Sequence, residues 1–253
     1  MSARISIITV VYNGVDSLEQ TILSVLNQSV APYEYLIIDG KSTDGTVEIA
    51  EKYKIAFQQK NIKYKIYSEK DDGIYDAMNK GIRLVSGNFV AMLNSDDWYE
   101  NTAIETAISI YRKHPFDLAY GSIQYTGKNG AILIKNSRVD SFVTSRNWNH
   151  PSTFVRKTLC LQYPFDLNWK IYADFDWFLK LRKLNVNIAI FPEDKVIAHF
   201  RAGGASINKN LSSMLQRSGE KYAVYRNNGY GRIYFFESYG WEFVKYCFAL
   251  IYS

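Results

Sequence analysis

The sequence predicts an α/β protein with a mostly parallel central sheet flanked by helices. Three observations carry this expectation. Strand-like and helix-like segments alternate four times in the first hundred residues. The strand-like runs are continuously apolar, as strands covered on both faces are. Polar residues collect just after each run, where the carboxyl ends of parallel strands hold ligands.

Ile5 to Val11 is an unbroken β-branched, apolar run. Val15, Leu18, Ile22, Val25 and Leu26 then recur at helical spacing, so a helix follows. Tyr35 to Ile38 is a second buried strand ending at Asp39-Gly40, and Ser42 to Thr46 supplies capping oxygens for a helix with Val47, Ile49 and Ala50 inward. Lys63 to Tyr67 alternates like a strand. The next helix carries Ile74, Ala77, Met78, Ile82 and Val85 and is closed by Gly87, a residue common just past helix ends. Phe89 to Leu93 is the fourth strand, running into Asn94-Ser95-Asp96-Asp97. A helix over Thr102 to Lys113 follows. Leu118 to Ile123 and Ala131 to Ile134 read as an antiparallel pair around Gly127 to Gly130. Asp174 to Leu184 is helical, Ile188 to Phe200 is strand-like in pieces, and helical spacing returns from Ile207.

The chain has 253 residues, of which 47% are hydrophobic and 22% charged. That suffices for one large core with an appendage, here residues 1–206 followed by a helical extension over 207–253. Aromatic content is high, with 20 tyrosines, and Tyr and Trp suit surfaces with one apolar and one wet side, such as sugar sites and membrane interfaces. A net charge of +5 fits an anionic partner. It is not concentrated into the basic stripe of a nucleic-acid binder, so no nucleic-acid partner is expected. Cys160 and Cys247 are the two cysteines, without metal-ligand spacing, which excludes a disulfide framework and suggests a reducing, cytoplasmic setting. The longest apolar stretches fall short of the about 20 residues of a spanning helix.

The sharpest local signal is Asn94 to Asp97. Adjacent carboxylates in a tight turn repel unless a cation lies between them, and Mg²⁺ or Mn²⁺ takes one or two carboxylates and completes its shell with phosphate oxygens. A plain turn is the alternative, and the position after a fourth strand favours the ion. Asp39, at a strand end, has the chemistry to accept the imide N3–H of uracil, or to serve as a turn residue. Asp44 reads as a helix cap. His199 precedes a Gly pair, Gly203-Gly204, and suits a metal or phosphate ligand, with Arg201 a diphosphate contact. A core histidine and a surface arginine are the alternative. His150 precedes Pro151, and His114 reads as structural. Asp174 and Asp176 open an apolar helix, where a carboxylate is often only dipole-stabilised; Asp174 also has the chemistry of a base for an acceptor hydroxyl.

Taken together, Ile7 to Asn13, Ile38 to Thr46, Asp71-Asp72-Gly73-Ile74-Tyr75-Asp76-Ala77-Met78-Asn79-Lys80-Gly81 and Leu93 to Asp97 resemble glycosyltransferase family 2, inverting enzymes of the GT-A fold with a Rossmann-like sheet. Ala173 to Leu179 resembles the family's catalytic-base segment, and Gly203 to Ser206 its late loop. The resemblance covers about residues 4 to 206. It implies that Thr9, Tyr12, Asn13 and Asp39 surround the nucleoside, with Asp71 near base or ribose. Asn94 and Ser95 would join the nucleotide site, Asp96 would hold Mn²⁺ or Mg²⁺ on the diphosphate, and Asp174 would be the general base. Two positions depart from the family pattern. Asn94 replaces the usual acidic residue, and Gly40 stands where many relatives carry a second Asp or Asn.

The implied reaction is a single inverting displacement by an acceptor hydroxyl on a nucleoside diphosphate sugar, with UDP the expected nucleotide. The group moved is a hexosyl or N-acetylhexosaminyl unit, and the acceptor a saccharide or lipid-linked saccharide of surface polysaccharide synthesis. A sugar nucleotidyltransferase or a non-catalytic sugar- or nucleotide-binding module are the rival readings. A dehydrogenase is disfavoured, because no Gly-x-Gly-x-x-Gly follows the first strand. In the tail, Phe236, Phe243, Cys247, Leu250 and Ile251 share roughly one helical face. That helix suits a membrane interface, making the enzyme peripheral, or a core-packing or homodimer contact.

Overall fold

The computed structural model describes residues 2–127, 130–201 and 210–251. Its strands are β1 (Ile5–Val11), β2 (Glu34–Asp39), β3 (Lys63–Ser68), β4 (Phe89–Met92), β5 (Trp98–Tyr99), β6 (Leu118–Tyr120), β7 (Ser122–Thr126), β8 (Ile132–Lys135), β9 (Phe154–Arg156), β10 (Ile188–Ile190) and β11 (Val196–Arg201). Its helices are α1 (Leu18–Leu26), α2 (Thr46–Glu51), α3 (Lys54–Gln59), α4 (Ile74–Leu84), α5 (Ala103–Lys113), α6 (Lys157–Gln162), α7 (Ala173–Arg182), α8 (Leu211–Asn227) and α9 (Tyr234–Ile251). The chain divides into two compact units: Met1–Pro164 with Val186–Ala202, and Phe165–Asn185 with Gly203–Ser253. The second unit thus takes in α7 as well as the tail.

In the first unit a seven-stranded sheet runs β10-β6-β9-β4-β1-β2-β3. Only β9 is antiparallel to its neighbours. The mostly parallel α/β sheet expected from the sequence is therefore present. One face carries Ile5, Ile7 and Val11 of β1 against Leu18, Ile22 and Val25 of α1, with Phe57 and Ile104 in the same core. On the other face α4 lies against β1 and β2. Register matters for the site: Val11 is level with Asp39, and Asp39 with Ser68, so the chain leaves three parallel strands at the same edge.

The run expected as one strand from Leu118 to Ile123 is two. It breaks at Gly121, with β6 in the large sheet and β7 in a four-stranded sheet of order β5-β11-β7-β8. The expected antiparallel pair is β7 with β8. Gly87 has a different reason for being glycine than the helix-end conformation expected. The helix ends at Leu84 with Val85 as its extended cap, and a Cβ on Gly87 would lie 2.4 Å from the Arg4 carbonyl oxygen. The constraint is close approach of two backbones, not left-handed geometry.

The second unit contains α7, α8 and α9. Phe175 packs edge-on against Tyr225, whose ring also meets Tyr234, so α7, α8 and the start of α9 share an aromatic interior. Among the described residues no helix is long and apolar enough to cross a membrane.

Candidate active site

At the carboxyl edge of the first unit, the loop after β1 is the hub. Asn13 adopts a left-handed conformation, φ 49°, which Asn tolerates better than most residues. Its backbone N–H donates to Ser42 Oγ (2.7 Å), and its side-chain oxygen accepts from Thr43 N–H (3.0 Å). Ser42 Oγ in turn donates to Asp39 Oδ1. Asp39 Oδ2 accepts from Ser42 N–H (3.0 Å) and Ser68 Oγ (2.6 Å). Asp39 is 1% exposed, so its carboxylate is engaged in holding three loops together. Asp44 accepts from Thr46 N–H and Val15 N–H, locking the next turn to the same hub.

Beside this frame lies an open floor. A Cβ on Gly40 would stand 2.6 Å from Asp71 Oδ2 and 3.3 Å from Tyr12 Cδ2, so carboxylate and ring converge over bare backbone. The Tyr12 side is exposed to solvent at 67%. Asp71 is held from its other oxygen, Oδ1, by Gly73 N–H at 2.9 Å. The glycine that departs from the family pattern is thus what lets Asp71 reach the floor.

The next strand end carries the Asn94–Asp97 turn, closed by Asp97 N–H to the Asn94 carbonyl (3.2 Å) and pinned to α1 by Thr21 Oγ1 on the Asp97 carbonyl (2.6 Å). Ser95 Oγ lies 3.3 Å from where a Gly14 Cβ would be, so this turn adjoins the β1 hub. Burial pushes the Asp96 carboxyl above its ordinary range, opposed by the nearby Arg201 charge. Asp97 is pushed well above it by burial and by the Asp96 charge, against the Arg201 backbone bond and charge. Asn94 Oδ1 and Asp97 Oδ2 are buried without hydrogen-bond partners. Two adjacent carboxyls raised by burial, one of them also by its neighbour's charge, with orphaned oxygens beside them, match a hard cation that brings its own water and phosphate oxygens. Asp97 was not singled out by sequence reasoning, although its place in the same turn was the signal.

Two expected residues do not join this edge. Thr9 is fully buried, and its Oγ1 accepts from Tyr35 OH at 3.0 Å inside the core face of β1. Its hydroxyl therefore belongs to packing. His199 sits in the small sheet with Nε2 bonded to Glu100 (2.7 Å) and its ring stacked on Trp98 (centroids 5.0 Å). Among the described residues no three His, Cys, Asp or Glu side chains gather as a metal set, and the His199 nitrogen Nε2 is engaged by Glu100. Arg201 does reach the turn: its N–H donates to Asp97 Oδ1 (3.3 Å), its guanidinium lies 5.3 Å from the Trp98 ring, and it bonds Gln20. The Gly203–Ser206 loop lies outside the described residues.

In the second unit, Asp174 and Asp176 have separate fates. Asp176 is fully buried, accepting from Asn228 Nδ2 (2.6 Å) on Oδ1 and pairing with Lys180 (2.6 Å) through Oδ2. Asp174 is half-buried at the first turn of α7 and accepts from Phe175 N–H (2.8 Å). The chain entering α7 is fixed by Glu220, whose Oε1 accepts from Ile171 N–H (2.6 Å) and Tyr172 N–H (2.8 Å). Nothing in the sequence spacing pointed to Glu220, since the bond joins segments about fifty residues apart.

An open floor beside an acidic turn thus lies at adjacent ends of a parallel sheet, and solved structures share the fold. TarS of S. aureus in complex with UDP-GlcNAc superposes with a TM-score of 0.66 over 90% of this chain and 65% of its own, at 23% identity. The architecture is the GT-A fold of glycosyltransferases. The family model "Glycosyl transferase family 2" matches residues 6–177, and the chain belongs to that family. A "PGL/p-HBAD biosynthesis glycosyltransferase" of Mycobacterium bovis is 31% identical over 164 residues, 62% of this chain and 61% of its own length. The match thus spans about three fifths of the mycobacterial relative. The Escherichia coli "UDP-Glc:alpha-D-GlcNAc-diphosphoundecaprenol beta-1,3-glucosyltransferase WfgD" is 26% identical over 238 residues, 93% of this chain and 91% of its own.

Proposed function

We propose that this chain is an inverting glycosyltransferase moving a hexosyl or N-acetylhexosaminyl group from a UDP-sugar to a hydroxyl of a lipid-linked saccharide, in surface polysaccharide synthesis. The observation that carries this reading is the floor at Gly40, bounded by Tyr12 and Asp71, next to the undercompensated Asn94–Asp97 turn. The printed names of the relatives support the substrate classes: one neighbour holds UDP-GlcNAc, and the Escherichia coli relative acts on a diphosphoundecaprenol-linked sugar.

In this reading the uracil lies along the Tyr12 ring and gives its N3–H to Asp71 Oδ2, while Asp39 holds the frame. Asn13 and Asn94 face the ribose. Asp96, Asp97 and Asn94 Oδ1 fit Mn²⁺ or Mg²⁺, which when bound compensates charge on the leaving diphosphate. Arg201 adds a second positive charge at the same turn. Asp174, half-buried at the first turn of α7, takes the proton from the attacking acceptor hydroxyl, a role for which the fully buried, Lys180-bound Asp176 is poorly placed. No Ser, Cys or Lys nucleophile is required, because the displacement forms no enzyme-bound sugar.

The test is to incubate the protein with UDP- and GDP-sugars, Mn²⁺ and a polyprenyl diphosphate-linked sugar, and to follow nucleotide products. The expected result is UDP release stimulated by acceptor and lost on chelation. Pyrophosphate release, or nucleotide-sugar turnover indifferent to acceptor and metal, would sink the proposal.

A further inference from the structure

The helical hairpin of the second unit buries charged side chains beside its aromatic interior. Between α8 and α9 lie charges: Lys221 pairs with Glu237 at 2.8 Å and Arg217 with Glu242 at 3.2 Å. Lys221, Glu237 and Glu242 are all nearly inaccessible, and Ser218 and Ser238 are buried in the same stretch. With its acidic side turned inward, α9 presents apolar residues outward. Ile233 just before the helix, and Phe236, Phe243 and Val244 within it, are 62, 75, 56 and 39% exposed. Phe236, Gly240, Phe243 and Val244 follow helical spacing, so they form one stripe. Isolated exposed apolar residues are ordinary on a protein surface; an aromatic stripe along one helix face marks a contact.

The charges decide what kind of contact. From residue 222 to 251 the sequence has two acids, Glu237 and Glu242, and both are buried in ion pairs. Arg226, whose guanidinium donates to the Tyr230 carbonyl, and Arg232 are exposed at the junction from which α9 starts. An aromatic face bordered by cations, with no exposed acid along it, matches an anionic lipid surface, where rings enter the headgroup–acyl boundary and arginines meet phosphates. Since no described helix has the length and apolarity to cross a membrane, the element would lie on the surface. We infer that α9 is an interfacial helix, seated on anionic lipid through Phe236, Phe243 and Val244, with Arg226 and Arg232 as its headgroup contacts. This inference goes beyond the donor-site reading and is read out without any nucleotide, so either can fail alone.

The experiment sediments the full chain with vesicles of phosphatidylcholine alone or containing phosphatidylglycerol. Binding is expected only with the anionic lipid and should weaken with salt. Phe236→Ser with Phe243→Ser should cut the partition coefficient by at least about tenfold, with an unchanged circular-dichroism unfolding midpoint because both rings are exposed. Arg226→Gln with Arg232→Gln should reduce binding to anionic vesicles by a smaller, salt-sensitive factor. A wild-type chain that stays in the supernatant overturns the inference. So does a phenylalanine double variant that still binds vesicles, or one whose only change in sedimentation velocity is the loss of a dimer.

Discussion

Asp39 and Asp71 leave neighbouring strands, yet their carboxylates are committed differently, and the difference lies in short polar side chains. Ser42 and Ser68 saturate Asp39, whereas Asp71 keeps Oδ2 over Gly40. Gly40→Ala would push a methyl against that oxygen and displace it. The expected outcome is a rise of about 10–100-fold in the donor dissociation constant, the equivalent of one lost charged hydrogen bond. Isothermal titration with UDP checks it; unchanged UDP affinity would remove Asp71 from base recognition. At the other aspartate pair, Asp174→Asn keeps size but cannot take a proton, so kcat should fall about 10²–10⁴-fold with donor affinity nearly constant. Asp176→Asn should instead lower the unfolding midpoint, because it weakens a buried link to Lys180 and Asn228. An Asp176→Asn enzyme that is dead but fully stable would reverse the assignment. The residue types at the strand ends were legible in the sequence. Which oxygen stays free was not, since it depends on partners such as Ser68, brought level with Asp39 only by the parallel register.

At the scale of elements, the Asn94–Asp97 turn and the opposite edge of the sheet respond to pH in opposite directions. Asp96 and Asp97 have raised values in the fold. Their contribution to stability is therefore full below the ordinary Asp value of about 3.9 and lost as pH rises through the raised folded values. A cation needs them charged, so the gain in unfolding temperature from Mn²⁺ with UDP should grow as pH rises through their raised values. A gain that is flat with pH would place the ion elsewhere. Glu34 behaves in the contrary sense. Burial raises its value, but bonds from Ser6, Ser86 and Gly87 outweigh this and leave it lowered. It accepts from Ser6 Oγ (2.6 Å), Ser86 Oγ (3.0 Å) and the N–H groups of Ser86 and Gly87, tying β1, β2 and the end of α4 together. Stability from this clamp is present above the ordinary Glu value and lost as pH falls through the lowered one. Glu34→Ala should cost about 2–4 kcal/mol in urea unfolding at neutral pH, because buried N–H donors lose their acceptor. A cost under about 1 kcal/mol would mean water replaces the carboxylate. The strands and helices themselves were readable from period and burial, because parallel strands covered on both faces are continuously apolar. The break at Gly121 was not, since both halves of that run are equally strand-like and only the second sheet separates them.

For the whole molecule, the sequence pattern distinguished the parallel α/β part sharply and the C-terminal part poorly. In the first unit apolar side chains face inward, so hydrophobic periodicity reports burial directly. Along the described part of α9 it does not, since Phe236 and Phe243 are exposed and Glu237 and Glu242 buried. Helical spacing located the helix and grouped Phe236 and Phe243 on one face, which is exposed; the side chains of Cys247, Leu250 and Ile251, expected on the same face, lie outside the described residues. This inversion rests on the Lys221–Glu237 pair, with side chains 1 and 2% exposed. A buried ion pair costs desolvation of both partners and seldom adds net stability, but removing one partner strands a charge. Lys221→Met should therefore destabilise by about 3–5 kcal/mol. Lys221→Met together with Glu237→Leu should recover most of that loss, because neither charge then remains to be buried. The cycle is measured by thermal and urea unfolding of the full chain, followed through the aromatic near-ultraviolet signal of the Tyr225–Tyr230–Tyr234 cluster. Recovery in the double variant means that the pair sets which face of α9 turns inward and adds little net stability. A double variant as unstable as Lys221→Met alone would show the pair itself to be a net source of stability. A Lys221→Met protein indistinguishable from wild type would show that Glu237 is reached by water, and the buried seam between α8 and α9 would then be open.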